Sequence, residues 1–206
     1  MTFPDQKFDG VADFAAAYFE QLASASASID GTALTSAAEL LGAAYERRAT
    51  VYVCGNGGSA AIANHLVCDH LKGVQTDTET RPRVVSLSSN IETITAIAND
   101  ISFDDVFVYQ LRTMAEAGDV LVTISSSGDS ENIVRACDWA RGSDCAVIAM
   151  TGFAGGRSAG LADVNLHVDS DNYGVVEDAH QSLMHILAQY LRMKRMDVNL
   201  ISERKF

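Results

Sequence analysis

Apolar residues follow two different spacings along this chain, and the change from one to the other divides it into two parts. Over residues 8–48 they recur at helical spacing, and Gly31 interrupts the pattern. From Thr50 onward, short continuous apolar runs alternate with segments of helical spacing. The sequence therefore predicts an N-terminal helical hairpin over residues 1–48. It is followed by an α/β unit over residues 49–206, and both parts are expected to belong to one domain.

Five of the apolar runs are typical of strands buried on both faces. They are residues 50–54, 83–87, 119–124, 145–150 and 164–168. Helices are predicted over residues 59–72, 90–98, 103–117, 131–141 and 175–194. This alternation predicts a doubly wound, flavodoxin-like α/β fold, in which a five-stranded parallel sheet is flanked by helices. Such sheets bind ligands beyond the carboxyl ends of their strands.

A glycine-rich turn joins the first predicted strand to the next helix. Residues 55–59, with the sequence Gly-Asn-Gly-Gly-Ser, combine close backbone approach with the unpaired N–H groups of a helix start, which together favour an anion. Ala60 replaces the third glycine of a dinucleotide fingerprint, and no Lys-Ser/Thr pair follows, as a nucleoside triphosphate loop requires. Taken alone, the turn is compatible with a phosphate site and with a plain tight connection.

A second turn, after the third predicted strand, is rich in serine. Its hydroxyl groups belong to Ser125, Ser126, Ser127 and Ser130. Helix capping accounts for part of this run but not for four serines. Hydroxyl and amide groups without a lysine suit a phosphate that is bound and released rather than one that is transferred. The serine turn is therefore the better candidate for a phosphate.

Histidines and carboxylates concentrate on two predicted helices. His65 and Asp69 are four residues apart, so they share one face, where they suit a divalent cation or an acid–base pair. An ordinary surface pair has the same spacing. The last predicted helix carries Glu177, Asp178, His180 and His185. Their spacing does not decide which carboxylate joins which histidine.

Charge and composition narrow the classes of partner. The 206 residues carry a formal net charge of −12, which argues against nucleic acid and anionic membranes as partners. A small phosphorylated metabolite stays compatible, because backbone N–H groups bind phosphate in an acidic protein. No apolar run approaches the roughly 20 residues that span a bilayer, and no signal-peptide pattern is present. We expect a cytoplasmic protein with its four cysteines reduced and buried.

Several segments of the chain occur together, in this order, in one known family. They are Gly55–Ser59 with Ala63 and His65, Ala98–Asp100, Gly118–Leu121, Ile124–Ser130 and Met150–Gly152. With these segments and a His-x-x-x-x-His pattern in the last helix, the chain resembles the sugar isomerase (SIS) domain family over nearly its whole length. The resemblance is closest to the phosphoheptose isomerase branch. It implies a homotetramer with active sites between subunits.

The resemblance also implies the functional residues. One zinc ion per subunit would be held by His65, Asp69, Glu177 and His185. A small-molecule sugar phosphate would be bound by Asn56, Gly57, Gly58, Ser59, Asn99, Asp100, Ser125, Ser126, Ser127, Ser130 and Glu177. Catalysis would rest on Glu177, His185 and Asp69, which move protons through a cis-enediol while zinc polarises the sugar oxygens.

The chain departs from the family pattern at several positions. Asp69 and Glu177 stand where the family usually has Glu and Gln, so either carboxylate is a candidate base. Ile62 replaces an Asp three residues before the metal histidine, and Gly174-Val175 replaces an Asp-Arg pair. These changes remove polar groups that are expected to contact sugar hydroxyls or a neighbouring subunit.

The leading functional hypothesis is conversion of sedoheptulose 7-phosphate to D-glycero-D-manno-heptose 7-phosphate, for activated-heptose and lipopolysaccharide synthesis. One alternative is the same chemistry on another sugar phosphate. The other is a non-enzymatic tetrameric regulator of replication initiation that binds a protein partner. That branch of the family tends to lose the metal residues, and this chain keeps four candidate ligands, which favours the enzyme.

Overall fold

The computed structural model describes residues 2–206, whose central element is a parallel sheet of five strands. The strands are β1 (Thr50–Gly55), β2 (Arg83–Ser86), β3 (Val120–Ser125), β4 (Ala146–Thr151) and β5 (Val164–His167). They lie in the order β2-β1-β3-β4-β5, and every neighbouring pair is parallel. The predicted doubly wound, flavodoxin-like sheet is confirmed.

Helices connect and cover the strands. They are α1 (Val11–Ala27), α2 (Gly31–Glu46), α3 (Gly58–Cys68), α4 (Ile91–Asp100), α5 (Val108–Met114), α6 (Glu131–Gly142), α7 (Gly156–Leu161), α8 (Tyr173–Met193) and α9 (Val198–Ile201). Gly31 begins α2 rather than merely interrupting a helix, because the Asp30 side chain caps α2 by accepting a bond from the Thr32 N–H at 2.7 Å. Within residues 2–206, none of these helices is long and apolar enough to cross a membrane.

Both faces of the sheet are covered, which explains the continuous apolar runs. Val51 and Val53 face a core shared with α1, α2, α3 and α8. Tyr52 and Cys54 face a second core shared with α4, α5 and α6. Because alternate residues of one strand enter different cores, neither set of positions is free to be polar. Helices α3 and α6 therefore lie on opposite faces of the sheet.

The helix after β1 changes its winding at Asp69. The prediction was one helix over residues 59–72, whereas α3 ends at Cys68 and a π-helical segment continues over Asp69–Val74. The wider turn rotates the side chains that follow relative to α-helical spacing, and such segments are frequent at functional sites. Asp69, a predicted site residue, lies at this junction.

Two other expectations change in detail. The helix predicted over residues 103–117 is a 3₁₀ turn, Phe103–Asp105, followed by the shorter helix α5, which ends at Met114. The Ser102 hydroxyl caps the 3₁₀ turn by accepting the Asp104 N–H at 3.1 Å. Cys68 is exposed, so the expectation of four buried cysteines is wrong at that residue. The three other cysteines are buried, and all four are free thiols.

Candidate functional site

The crevice at the carboxyl ends of β1 and β3 lies where the chain leaves the sheet towards opposite faces. Ligands of doubly wound sheets bind at this kind of switch point. Two amide side chains join its walls. Asn56, after β1, and Asn132, in the first turn of α6, exchange hydrogen bonds of 2.9 and 3.0 Å. This pairing brings together the glycine and serine turns. Asn132 is 1% exposed and was not among the predicted site residues.

The glycine turn is tight because its backbone comes close to other groups. A Cβ on Gly55 would lie 2.6 Å from the Ser59 carbonyl oxygen, and Gly57 has a φ of +54°, where residues other than glycine are strained. Gly57 stands at the N-cap of α3 without any side-chain capping bond. The first N–H groups of α3 therefore point towards the crevice without a cap.

Glu177 of α8 lies against this helix start. A Cβ on Gly58 would be 2.7 Å from both Cδ and Oε1 of the Glu177 side chain. Within residues 2–206 this carboxylate has no hydrogen-bond or ion-pair partner, so the helix dipole of α3 is the favourable electrostatic contact that the geometry provides. Glu177 is therefore held at the glycine turn with both oxygens available.

The hydroxyl groups of the serine turn fall into two kinds, those that brace the turn and those that make no hydrogen bond among the described residues. Ser125 Oγ accepts the Gly128 N–H at 3.1 Å, and Ser127 Oγ accepts the Asp129 N–H at 3.3 Å, so these two brace the turn. Ser126 Oγ is buried and has no partner, and Ser130, at the N-cap of α6, makes no capping bond. Two hydroxyls and a helix start are thus available to an anion.

The carboxylates beside the serine turn are paired with Arg157 of α7. Its guanidinium contacts Asp129 at 2.5 Å and Glu131 at 2.9 Å. These bonds lower the pKa of the Asp129 carboxyl, and bonds from Arg135 and Arg157 lower the pKa of the Glu131 carboxyl. The positive charge offsets acidic groups that would repel a phosphate at this turn. Sequence reasoning missed Arg157, because α7 is only six residues long and was not predicted.

Two histidines meet at the contact between α3 and α8. His185 Nδ1 lies 2.6 Å from Asp69 Oδ2, and His65 Nε2 lies 3.4 Å from Asp69 Oδ1. The opposite ring nitrogens, His65 Nδ1 and His185 Nε2, each lie 3.0 Å from Nε2 of Gln181. The four side chains therefore form a closed ring, with Asp69 on one side of the imidazoles and Gln181 on the other.

The donor set of this ring suits a divalent metal. One ligand atom from each of His65, Asp69 and His185 lies within 4.8 Å of the others. Two imidazoles and a carboxylate are a common set for catalytic zinc, which keeps a further position open for water or substrate. Three of the four predicted zinc ligands are thus brought together. The fourth, Glu177, lies apart at Gly58, and Gln181 occupies the adjoining position.

Gln181 was missed by sequence reasoning although a signal for it exists. It lies four residues after Glu177 and four before His185, so all three share one stripe of α8. Gln181 was missed because only histidines and carboxylates were considered as candidate ligands on this stripe of α8. Asn132 offered no such pattern, since its pairing with Asn56 depends on tertiary structure.

A cleft of about 360 Å³ gives access to the cluster formed by His65, Asp69 and His185. Asp69 and His185 line one part of it, and Lys72 and Lys205 add positive charge elsewhere along its wall. The cluster is therefore reachable from the surface at the carboxyl end of α3.

The remaining predicted residues lie outside this arrangement in one chain. Asn99 and Asp100 are exposed at the end of α4, and their side chains bond to each other at 2.7 Å. No hydrogen bond among residues 2–206 links this pair to the other predicted site residues. His180 is buried, with Nε2 bonded to the Thr151 carbonyl at 3.1 Å, and burial lowers the pKa of its imidazole to about 4.

Two of the positions that depart from the family pattern, Ile62 and Val175, lie in the core. Ile62 is 5% exposed and Val175 is fully buried in the core shared by α3 and α8. Apolar packing between these helices has replaced the polar groups that the resemblance implied there. This end of the crevice consequently offers fewer hydrogen-bonding groups to a sugar.

A model described as the SIS domain matches residues 14–152. A phosphoheptose isomerase of Colwellia psychrerythraea is 38% identical over 170 residues, which cover 76% of this chain and 86% of the relative. Among solved structures, phosphoheptose isomerase GmhA from Neisseria gonorrhoeae superposes with a TM-score of 0.81 at 34% identity, covering 88% of this chain and 98% of that one.

A phosphoheptose isomerase from Francisella tularensis superposes with a TM-score of 0.82 at 31% identity, covering 89% of this chain and 99% of that chain. With this fold, these turns and these relatives, the chain belongs to the SIS domain family.

Proposed function

We propose that this protein is an isomerase that interconverts a phosphorylated ketose and the corresponding aldose. Relatives named phosphoheptose isomerase, which match most of the chain in sequence and in structure, support this reaction class. The observation that carries the proposal is a continuous series of contacts from the serine turn to the cluster formed by His65, Asp69 and His185. The Asn132–Asn56 pair and the Gly58–Glu177 contact connect these two ends.

The arrangement suits a substrate with phosphate at one end and a carbonyl at the other. Ser126, Ser130 and the start of α6 would take the phosphate, and Asn56 and Ser59 would lie beside the sugar hydroxyls. Glu177, Gln181 and His185 advance along α8 by about 6 Å for every four residues. We propose sedoheptulose 7-phosphate as the ketose and D-glycero-D-manno-heptose 7-phosphate as the aldose, as part of activated-heptose synthesis for lipopolysaccharide.

The proposed chemistry is a proton transfer between neighbouring carbon atoms. A base takes the proton from the carbon beside the carbonyl while the carbonyl oxygen gains a proton, which gives the cis-enediol. The enediol then takes a proton on the former carbonyl carbon, while the hydroxyl on the first carbon loses its proton and becomes the new carbonyl. Glu177 is the better base, because its carboxylate has no partner within residues 2–206. Asp69 instead lies 2.6 Å from the His185 imidazole and orients it.

We propose zinc, one ion per subunit, as the cofactor. The residues that would hold it are His65, Asp69 and His185, whose donor atoms are close enough to share one ion. When bound, zinc would polarise the carbonyl and hydroxyl oxygens of the sugar. Glu177 would then be free to act as base rather than as the fourth ligand.

We also propose a homotetramer with active sites between subunits. Apolar side chains are exposed in the described part of the chain, including Val11 (84%) and Phe19 (66%) on α1. A neighbouring subunit that covered such a surface could also bring its Asn99 and Asp100 to this crevice. Sedimentation equilibrium should give four times the 22.0 kDa subunit mass; a monomer at micromolar concentration would contradict the assembly.

The reaction is tested with a panel of ketose phosphates of five to seven carbons in heavy water. We expect an aldose product with deuterium at C2, formed fastest from sedoheptulose 7-phosphate and abolished by Glu177→Gln. Faster conversion of another ketose would support the alternative, an isomerase of a different sugar phosphate. The structural reason to test it is that Ile62 and Val175 are apolar and buried where the resemblance implied polar groups. No aldose from any member, with zinc supplied, would contradict an enzymatic function.

A further inference from the structure

The Gln181 amide faces the two imidazoles on the side opposite Asp69. Its Nε2 lies 3.0 Å from His65 Nδ1 and 3.0 Å from His185 Nε2. The nitrogens turned towards Asp69 are His65 Nε2 and His185 Nδ1, at 3.4 and 2.6 Å from its oxygens. Each ring thus has one nitrogen for the carboxylate and one for the amide.

The protonation of this ring of side chains is set by the amide. When the Gln181 NH₂ group faces the imidazoles, it donates one N–H to each ring, so both facing nitrogens carry lone pairs. Each neutral imidazole then keeps its proton on the nitrogen that faces Asp69, which accepts it. All four ring nitrogens then have a partner, but no lone pair is directed towards the carboxylate side.

A metal held with Asp69 requires the other tautomers. Lone pairs must then lie on His65 Nε2 and His185 Nδ1, and each ring proton moves to the nitrogen facing Gln181. Those N–H groups need an acceptor, which the amide supplies when it turns by 180° and presents Oε1. Metal-ligating histidines depend on such partners for tautomer and orientation.

We propose that Gln181 is the positioning residue of the metal site, selecting by the orientation of its amide between metal-free and metal-binding tautomers of His65 and His185. This inference rests on the proposed zinc site. It does not require Gln181 to contact the ion or the substrate. It also assigns a function to the one amide on the stripe that joins Glu177 to His185.

Zinc affinity separates this role from a packing role. Zinc dissociation constants are measured at pH 8 by competition with a chromophoric chelator. Gln181→Leu keeps the side-chain size and removes the acceptor, and should weaken zinc binding by about 10–100-fold. Gln181→Glu restores an acceptor for both N–H groups and should bind within about threefold of the original chain. Gln21→Leu, at an exposed position of α1, is the matched control and should bind like the original.

The tautomers are read directly from ¹⁵N spectra of histidine-labelled protein. Without zinc, His185 should carry its proton on Nδ1, and zinc should move it to Nε2. Equal zinc affinity of the Leu variant and the original chain, or a proton already on Nε2 without zinc, would overturn the role of Gln181 alone. Failure of the original chain to bind zinc would overturn the proposed metal site together with it.

Discussion

Gly58, the first residue of α3, lies directly against the Glu177 side chain of α8. A Cβ at Gly58 would lie 2.7 Å from the Glu177 Cδ, a distance that real Cβ atoms essentially never show. The carboxylate occupies the space that a side chain would fill, next to the positive end of the helix dipole. The absence of a side chain at residue 58 therefore determines where the proposed base is held.

Gly58→Ala should damage catalysis without damaging the fold. The methyl group displaces the Glu177 carboxylate, and a misplacement of about 1 Å costs on the order of 100-fold in rate. Alanine is the better helix former, so the free energy of unfolding should not fall. Steady-state kinetics should show a lower kcat with KM within about threefold of the original value.

Gly142→Ala is the matched control, because a Cβ at Gly142 meets nothing within 4 Å. Its kcat should equal that of the original chain. Unchanged kcat in Gly58→Ala would show that Glu177 does not act from the position beside α3.

Asp69→Asn should impair both zinc binding and turnover. The carboxylate presents one oxygen to each imidazole, whereas the amide presents one oxygen and one NH₂ group, which repels a ring N–H and offers no lone pair to a cation. We expect zinc affinity and kcat/KM to fall by about 100-fold or more. Asp138→Asn, an exposed change on α6, is the control. Full zinc occupancy with normal kcat/KM in Asp69→Asn would contradict the metal role of Asp69.

The sheet could be predicted from sequence because its signal is local. Val51, Tyr52, Val53 and Cys54 are apolar since two cores contact alternate residues, and this produces an unbroken run. The split of residues 103–117 was missed because apolar residues recur at helical spacing through the break, at Phe103, Phe107 and Leu111. The π-helical turn after Cys68 was missed as well, since its residues have ordinary helical spacing.

The grouping of candidate site residues could be predicted where the residues lie close together on one helix. His65 and Asp69 share a face of one helix, and the structure brings His185 to them. Which residue of α8 stands next to His65 depends on the register between α3 and α8, and spacing along α8 does not contain that register. Gln181 rather than Glu177 lies there, and for the same reason the Asn56–Asn132 pair was not foreseen.

Ser130→Ala should weaken substrate binding with little effect on the chemical step. The Ser130 hydroxyl makes no capping bond to α6, so its removal leaves the helix start unchanged. Loss of one hydrogen bond to a charged phosphate is worth about 1.5–3 kcal/mol, which corresponds to a rise in KM of roughly 10-fold or more. Ser143→Ala, at the other end of α6, is the control. An unchanged KM in Ser130→Ala would place the phosphate away from this turn.

His180 should make the protein less stable as the pH falls below neutrality. Burial lowers the pKa of its imidazole from 6.5 to about 4, and the nearby His167 acts in the same direction. Between these two pKa values His180 is protonated in the unfolded chain and neutral in the folded chain. The free energy of unfolding therefore falls as the pH decreases from about 6.5 to 4. At pH 5 the loss from this residue is about 2 kcal/mol.

His180→Gln keeps an N–H donor for the Thr151 carbonyl and has no titrating group. Urea unfolding at fixed protein concentration, with chelator present, should give a stability difference between pH 7 and pH 5 that is smaller by about 2 kcal/mol in His180→Gln. His167→Gln should retain most of that difference. Identical pH dependence in His180→Gln and the original chain would show that the buried imidazole is not the group responsible.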